Sequence, residues 1–236
     1  MAVVAGNTPI ALGVARSLAN RRAKVALAGW SQGGGEAMAK EIAAGGGTAQ
    51  FVGTDVSRTL DIRRLASRVE SDLGRVSILV NSAETLGLRA PMMELYEDEF
   101  DDLIAVNLRA AFLLARTFVP GMIQAGGGHV VNLVGAMGWS PGSGGYYASR
   151  AGLRPLTHTL AAELRAYSIR VNAVDVGDPG AYLEHSGSRS PGDLPTGVPA
   201  ARPSKRNVDD LVDAIVELCD CPPETTGMIL ETGKPR

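Results

Sequence analysis

Short apolar runs alternate with helical patterns along almost the whole chain, and this alternation restricts the possible folds more than any other feature. The predicted strands span residues 2–5, 24–28, 50–53, 76–80, 130–134, 169–174 and 228–230. Helical patterns begin at residue 9 and recur at 36–44, 59–73, 97–124, 146–167 and 208–218. The run at 76–80 is apolar except for Ser77, which is typical of a parallel strand covered on both faces. The sequence therefore predicts an α/β fold, with one doubly wound parallel sheet of about seven strands and helices on both faces, in a single domain over residues 1–236.

Local signals predict how several of these elements begin and end. Residues 30–35 are predicted to form a loop before the second helix, and the glycines at 45–47 are predicted to end that helix. Asp55 and Ser57 are candidate N-caps for the helix at 59–73. Pro120 is expected to kink the end of the segment 97–124, because proline removes a backbone donor.

Composition excludes several classes of partner. The chain has 23 Lys and Arg residues against 25 Asp and Glu residues, and its basic residues form no dense run, so we expect no nucleic acid. We also expect no membrane span and a cytoplasmic protein, because the apolar runs are short and the first one leads directly into a glycine turn. The two cysteines and three histidines lack the spacing of metal ligands, so no metal site is predicted.

The periodic pattern stops in the segment 178–206, which is rich in proline and glycine. A long aperiodic stretch of this kind is more often a functional lid than a connector, so we predict a substrate lid there. Its apolar and aromatic residues, together with apolar residues elsewhere, would suit a bulky and weakly polar substrate, although core packing explains the methionines equally well. These residues are Tyr182, Leu183, His185, Met92, Met93, Met137 and Trp139.

Tyr146 and Arg150 are four residues apart in a predicted helix, so their side chains share one face. A cation beside a phenol favours the phenolate and lowers the tyrosine pKa. The pair is therefore a candidate for proton transfer. Ligands of doubly wound sheets bind beyond the carboxyl ends of the strands, so the residues that follow each strand are the other candidates.

Several landmarks in this order resemble the classical short-chain dehydrogenase/reductase family, which has a Rossmann-like fold. They are Gly6, Asp55-Val56, Asn81-Ser82-Ala83-Glu84, Asn107, Tyr146 with Arg150, Val171-Asn172-Ala173 and Thr226-Gly227. The resemblance implies binding of NAD(H) or NADP(H) and hydride transfer between the nicotinamide and an alcohol or ketone. It also implies that Tyr146 is the acid or base, and that Asn107 matches the asparagine that holds a water in the proton relay.

Two positions depart from the family pattern. Arg150 replaces the lysine that bonds the cofactor ribose and lowers the tyrosine pKa, and arginine is larger, planar and permanently charged. Gly135 replaces the serine that orients the substrate oxygen, and Ser140 or Ser143 are the alternative sources of a hydroxyl. Glu84 stands where the family has glycine. The predicted catalytic set is therefore Tyr146, Arg150, Asn107 and Glu84.

The cofactor turn also departs from the family pattern, because only Gly6 of its glycines remains. Residues 9–15 read PIALGVA, which is similar to the turn of enoyl-acyl-carrier-protein reductases. After the second strand, Gly29 and Trp30 replace the acid or arginine that would separate NAD from NADP, so the choice stays open. The resemblance implies cofactor contacts from Gly6, Asn7, Thr8, Ile10, Trp30, Asp55, Val56, Asn81, Ala83, Tyr146, Arg150 and Gly177.

Three functions are consistent with these residues. The first is a nicotinamide-dependent oxidoreductase with a non-standard active site. The second is a non-redox enzyme such as a cyclase, dehydratase or isomerase, with Glu84, Asp175 and Asp178 around Tyr146 and with no bound cofactor. The third is a catalytically silent relative that acts as a partner subunit. In each case the resemblance implies a homo-oligomer, a dimer or tetramer paired through the helices at 107–124 and 146–167.

Overall fold

The computed structural model describes residues 1–30, 32–135, 141–177 and 207–231. The predicted lid at 178–206 lies outside these ranges. So do Met137, Trp139 and Ser140.

The described strands form one parallel sheet. They are β1 (Ala2–Ala5), β2 (Lys24–Gly29), β3 (Thr48–Gly53), β4 (Ile78–Asn81), β5 (Gly128–Val134), β6 (Ile169–Asp175) and β7 (Ile229–Glu231). The strand order is β3-β2-β1-β4-β5-β6-β7, so the chain builds outward from β1 to β3 and then returns to β4 beside β1. This arrangement confirms the predicted doubly wound fold and places the point where the strand order reverses between β1 and β4.

Helices cover both faces of the sheet. They are α1 (Pro9–Asn20), α2 (Gln32–Ala44), α3 (Thr59–Asp72), α4 (Glu97–Ile104), α5 (Ala110–Gln124), α6 (Gly144–Ala151), α7 (Leu153–Leu164) and α8 (Val208–Leu218). Alternate residues of β1 serve the two faces: Val4 packs with Ile10 of α1 and Ile215 of α8, whereas Val3 packs with residues of α3 and α5. Both faces of β1 are therefore buried, as its apolar sequence requires.

The prediction of a loop over 30–35 was wrong, because α2 begins at Gln32. Glycine has a low intrinsic helix propensity, which is why the sequence favoured a loop. At Gly35 the packing explains the residue: a Cβ there would lie 2.1 Å from Cδ2 of the Phe51 ring. The close approach of α2 to β3 thus needs a helical glycine.

Two predicted helix boundaries also need correction. The N-cap of α3 is Arg58, which makes no side-chain capping bond, whereas Asp55 Oδ1 accepts hydrogen bonds from the backbone N–H and the hydroxyl of Ser57 at 3.0 and 2.6 Å. Asp55 therefore shapes the turn ahead of the helix. The predicted helix at 146–167 is two helices that meet at Gly152, followed by a 3₁₀ turn.

The segment Glu97–Gln124 is one continuous helical run, in which a π-helical turn (Ala105–Arg109) separates α4 from α5. Pro120 lies inside α5, which continues to Gln124, and the kink stays a prediction. Within the described residues this is the one helix long and apolar enough to cross a membrane by length and composition. In the fold, α5 packs against α3, β4 and β5, with Leu114, Phe118 and Met122 buried.

Candidate active site

The loops beyond the carboxyl ends of β1 to β4 enclose a cleft of about 450 Å³. This position, where the strand order reverses, is where doubly wound sheets bind ligands. The cleft is lined by Gly6, Asn7, Gly29, Trp30, Thr54, Asp55, Val56, Ser57, Ala83, Glu84, Thr85, Asp102 and Val106.

Gly6 lets the turn after β1 approach the loop after β4. Its φ is +131°, and a Cβ at this position would lie 2.6 Å from the carbonyl oxygen of Ser82. Its N–H donates to the Ala28 carbonyl at 2.7 Å, which ties the turn to the end of β2 as well. The one glycine kept from the family turn is thus the one that this backbone contact requires.

The first turn of α1 offers few donors to a phosphate. Thr8 caps the helix: its Oγ1 accepts the Ala11 N–H at 3.2 Å and lies 3.3 Å from the Ser82 hydroxyl. Pro9 at the first helical position has no N–H, and Ile10 is buried in the core against the sheet. Thr8 and Ile10 were predicted as cofactor contacts. In the structure Thr8 caps α1, and Ile10 packs in the core.

The outer part of the cleft can hold an adenosine group. Trp30 is 75% exposed at its rim, where its ring can stack on a base. Asp55 and Val56 also line the cleft, and a carboxylate can accept a hydrogen bond from an exocyclic amine. The three charged residues along the described lining are Asp55, Glu84 and Asp102, so this lining is acidic.

The buried centre of the site is a cluster of Tyr146, Glu84 and Arg150. The Tyr146 hydroxyl donates to Glu84 Oε1 at 2.5 Å, and Arg150 Nε lies 3.6 Å from the same oxygen. Arg150 Nη2 also donates to the Leu133 carbonyl at 2.6 Å. The side chains of Glu84 and Arg150 are only 2% and 3% exposed. A short hydrogen bond between a phenol and a carboxylate is a path for moving a proton.

Gly135 lies beside this cluster, at the end of β5. A Cβ built at Gly135 would be 3.1 Å from the Tyr146 hydroxyl oxygen, which is closer than side chains normally approach. The absence of a serine here thus matches the position of the Tyr146 ring. Of the two alternative hydroxyl sources, Ser143 lies at the N-terminus of α6 and Ser140 is outside the described residues.

Asn107 lies in the π-helical turn and links the loop after β4 to helix α6. Its Oδ1 accepts the Thr85 N–H at 2.8 Å, and its Nδ2 donates to the Thr85 carbonyl at 2.8 Å and to Ser149 Oγ at 2.9 Å. The Ser149 hydroxyl in turn donates to the Tyr146 carbonyl at 2.7 Å. Asn107 therefore fixes the loop that carries Glu84 against the helix that carries Tyr146.

The predicted contacts Asn81 and Gly177 lie away from the cleft lining. Asn81 Nδ2 donates to Asn132 Oδ1 at 2.7 Å inside the sheet. Gly177 has a φ of +77°, and its N–H donates to Asp175 Oδ1 at 2.8 Å. Arg154 Nη2 pairs with the other Asp175 oxygen at 2.5 Å. Asp175 thus shapes the turn after β6, whereas the sequence had suggested that it faces Tyr146.

Many of the predicted residues fall into two neighbouring groups, which are the cleft lining and the buried cluster of Tyr146, Arg150 and Glu84. Glu84 belongs to both groups. Those that line the cleft are Gly6, Asn7, Trp30, Asp55, Val56, Ala83 and Glu84. Sequence reasoning missed several lining residues, among them Thr54, Thr85, Asp102 and Val106. Thr54 directly follows β3, so its position after a strand was a usable signal. Asp102 and Val106 reach the cleft from a helix, and no local pattern marks them.

A nicotinamide dinucleotide fits this site in part. The cleft lining includes Trp30 and Asp55, which offer a ring and a carboxylate to an adenosine group. Beside the Tyr146 hydroxyl, the Glu84 carboxylate is already hydrogen-bonded, and its side chain fills the space there.

A parallel sheet with its cleft at the reversal of strand order defines the Rossmann-like class of nucleotide-binding folds. The chain belongs to the short chain dehydrogenase family, which matches residues 1–183. That match spans β1 to β6 and includes both groups of site residues.

Individual relatives are oxidoreductases. The chain is 36% identical over 147 residues to the 3-oxoacyl-[acyl-carrier-protein] reductase FabG of Staphylococcus epidermidis, covering 60% of this chain and 59% of that protein. It is 30% identical over 176 residues to 2-(S)-hydroxypropyl-CoM dehydrogenase 3 of Xanthobacter autotrophicus, covering 74% and 69%. The match thus spans less than two thirds of the length of the first of these relatives.

Solved structures match over nearly the whole chain. A 3-ketoacyl-ACP reductase from Sinorhizobium meliloti 1021 superposes with a TM-score of 0.85 at 28% identity, covering 98% of this chain and 96% of that one. A metagenomic short-chain oxidoreductase in complex with NADP superposes with a TM-score of 0.80 at 28% identity, covering 99% and 97%.

Proposed function

We propose that this protein is a nicotinamide-dependent oxidoreductase that interconverts a small-molecule alcohol and its carbonyl compound, with Tyr146 as the acid and base. The observation that carries the proposal is the 2.5 Å hydrogen bond from the Tyr146 hydroxyl to Glu84 in a buried site beside the nucleotide cleft. Family membership and the oxidoreductase relatives support the reaction class.

The buried cluster supplies the proton chemistry. In the direction of oxidation, Glu84 takes the proton of the Tyr146 hydroxyl as its side chain moves away from Tyr146. The Tyr146 oxygen then accepts the proton of the substrate alcohol, and Glu84 releases its proton to solvent. Reduction runs through the same positions in reverse. Arg150, whose Nε lies 3.6 Å from Glu84 Oε1, balances the negative charge of the buried cluster until the Tyr146 oxygen accepts the substrate proton. A bound nicotinamide would take or supply the hydride.

We further propose NAD(H) as the cofactor. The described cleft lining has three carboxylates and no Lys or Arg to meet a 2′-phosphate. The segment that follows β2, residues 30–39, also contains no Lys or Arg. An unphosphorylated ribose avoids the repulsion that a phosphate would meet in an acidic cleft.

Exposed apolar side chains bear on the substrate and on the assembly of the protein. Met92 and Met93 are exposed in the 3₁₀ turn before α4, which is consistent with a bulky and weakly polar substrate. Phe112 and Ile123 are exposed on α5, and we propose that this helix and α7 pair with a second copy of the chain. The cytoplasmic location stays a prediction.

Titration with dinucleotides tests the cofactor proposal. The purified protein is titrated with NADH and, in parallel, with NADPH, using calorimetry and the fluorescence of the exposed Trp30. We expect saturable NADH binding and NADPH binding at least about tenfold weaker, since each repelled charge in a partly buried site costs on the order of 1 kcal/mol or more. Absence of binding by either nucleotide at millimolar concentration would refute the proposal.

The same hydrogen bond also supports a second candidate, a non-redox enzyme. A carboxylate and a phenol that share a proton can perform acid-base chemistry without a nucleotide. In that case substrates of a cyclase, dehydratase or isomerase would turn over with no added NADH. Glu84→Gln and Tyr146→Phe would each abolish that turnover, whereas undiminished turnover in both variants would exclude this candidate.

A further inference from the structure

We propose that Glu84 determines which part of a dinucleotide the resting protein can hold, because its side chain closes the nicotinamide half of the cleft. The protein then binds ADP-ribose about as tightly as NADH. This inference rests on the proposed function, in that it takes the cleft to be a dinucleotide site.

The position of Glu84 makes it the boundary between the cleft and the buried cluster. It follows β4 by three residues and lines the cleft between Ala83 and Thr85. Its carboxylate turns inward, and the side chain is only 2% exposed. Glu84 therefore belongs both to the cleft lining and to the buried cluster, and its carboxylate fills the space directly beside the Tyr146 hydroxyl.

Several contacts hold Glu84 in that position. Its Oε1 accepts the Tyr146 hydroxyl at 2.5 Å and lies 3.6 Å from Arg150 Nε. The backbone on its C-terminal side is fixed as well, because Asn107 bonds both the N–H and the carbonyl of Thr85. Moving the carboxylate out would break a charge-assisted hydrogen bond and separate the buried Arg150 from its counter-charge.

Only the nicotinamide half of a dinucleotide requires the Glu84 side chain to move. An adenosine group near Trp30 and Asp55 leaves Glu84 in place. The diphosphate and the second ribose of ADP-ribose also leave it in place, because they stay outside the buried cluster. A nicotinamide has to reach the Tyr146 hydroxyl, where Glu84 Oε1 is already within hydrogen-bond distance. The favourable interactions of a bound nicotinamide are therefore offset by the displacement of Glu84.

Calorimetric titration with NADH and with ADP-ribose separates the two halves. For the wild-type protein we expect the two dissociation constants to agree within about threefold. In Glu84→Gly, which removes the closing side chain, NADH binding should become about tenfold tighter while ADP-ribose binding changes by less than about threefold, as expected when one charge-assisted hydrogen bond no longer has to be broken.

Asp102→Asn is the matched control, because Asp102 is a carboxylate of the same cleft that lies on α4. It should change the affinities for both ligands by the same factor. The inference is overturned if wild-type protein binds NADH more than about tenfold tighter than ADP-ribose, or if Glu84→Gly leaves the ratio unchanged. A wild-type preference for NADH above that limit overturns the inference even if the variant does not fold.

The proposed function fails in a different way. If neither NADH nor ADP-ribose binds to the wild-type protein at millimolar concentration, the dinucleotide site itself is refuted and this inference with it. Strong preference for NADH would leave the proposed function intact and refute only the role of Glu84.

Discussion

The amide of Asn107 forms two hydrogen bonds with the backbone of Thr85, one to its N–H and one to its carbonyl, each 2.8 Å long. Thr85 is the neighbour of Glu84, and the Asn107 amide also bonds Ser149 on the helix of Tyr146. One buried side chain therefore sets the distance between the carboxylate and the phenol on which the proposed chemistry depends.

Asn107→Ala should lower the free energy of unfolding by about 2 kcal/mol, because the partly buried N–H and carbonyl of Thr85 and the buried hydroxyl of Ser149 all lose a hydrogen-bond partner. Urea denaturation followed by circular dichroism measures the change. Asn20→Ala, at the exposed end of α1, is the matched control and should change the value by less than about 0.5 kcal/mol. Equal effects of the two substitutions would show that Asn107 does not fix the loop.

The pair of Arg154 and Asp175 fixes the turn after β6 in a largely buried position. Asp175→Asn can keep the bond to the Gly177 N–H but removes the charge, so we expect a loss of about 1–3 kcal/mol in the free energy of unfolding, below the full cost of breaking a wholly buried pair. Urea denaturation at several salt concentrations measures it.

The exposed pair of Arg16 and Glu41 provides the comparison for Asp175→Asn. Glu41→Gln should cost less than about 1 kcal/mol, and added salt should reduce that cost further. A cost for Asp175→Asn no greater than that for Glu41→Gln would contradict the structural role of the buried pair.

His129 makes stability depend on pH. Burial, and then the nearby Arg170 guanidinium, lower the pKa of His129 below its ordinary value of 6.5. Arg170 Nη2 lies 2.9 Å from His129 Nε2, and since arginine only donates, Nε2 is the acceptor and the proton is on Nδ1, towards the Leu218 carbonyl. The folded state therefore favours a neutral His129.

The sign of the effect follows from that lowered pKa. Below pH 6.5 the unfolded chain binds a proton at this position that the folded chain does not bind, so stability falls as the pH falls from 6.5 towards the lower folded pKa. Urea denaturation between pH 5 and 8 should show this loss, and His129→Gln should reduce its slope. A His129→Gln slope identical to the wild-type slope would refute the assignment.

The sheet could be predicted from the sequence because its signal is local. The first three residues of β4 are apolar, and Pro9 marks the start of the helix that follows β1. Gly35 misled the prediction because its packing partner, the Phe51 ring, lies on a later strand. Propensity describes a residue alone, whereas this contact depends on the tertiary structure.

The sequence indicates individual residues of the site but not the contacts between their side chains. The sequence places Glu84 just after a strand and Tyr146 in a helix, but the two are 62 residues apart, and no pattern indicates that the hydroxyl and the carboxylate meet. The same is true of Asn107, whose amide bonds Thr85 and Ser149. Side-chain partners across different elements follow from the packed fold and not from periodicity.

The oxidation of NADH with a panel of ketones, aldehydes and oxoacyl thioesters, compared between wild type and Tyr146→Phe, tests the central claim most directly. The claim predicts turnover by the wild type, at saturating NADH, that falls about 10²- to 10⁴-fold in the variant. Tyr167→Phe, at an exposed position, is the matched control and should keep wild-type turnover. Turnover by Tyr146→Phe at the wild-type rate would contradict the assignment of Tyr146 as the acid and base.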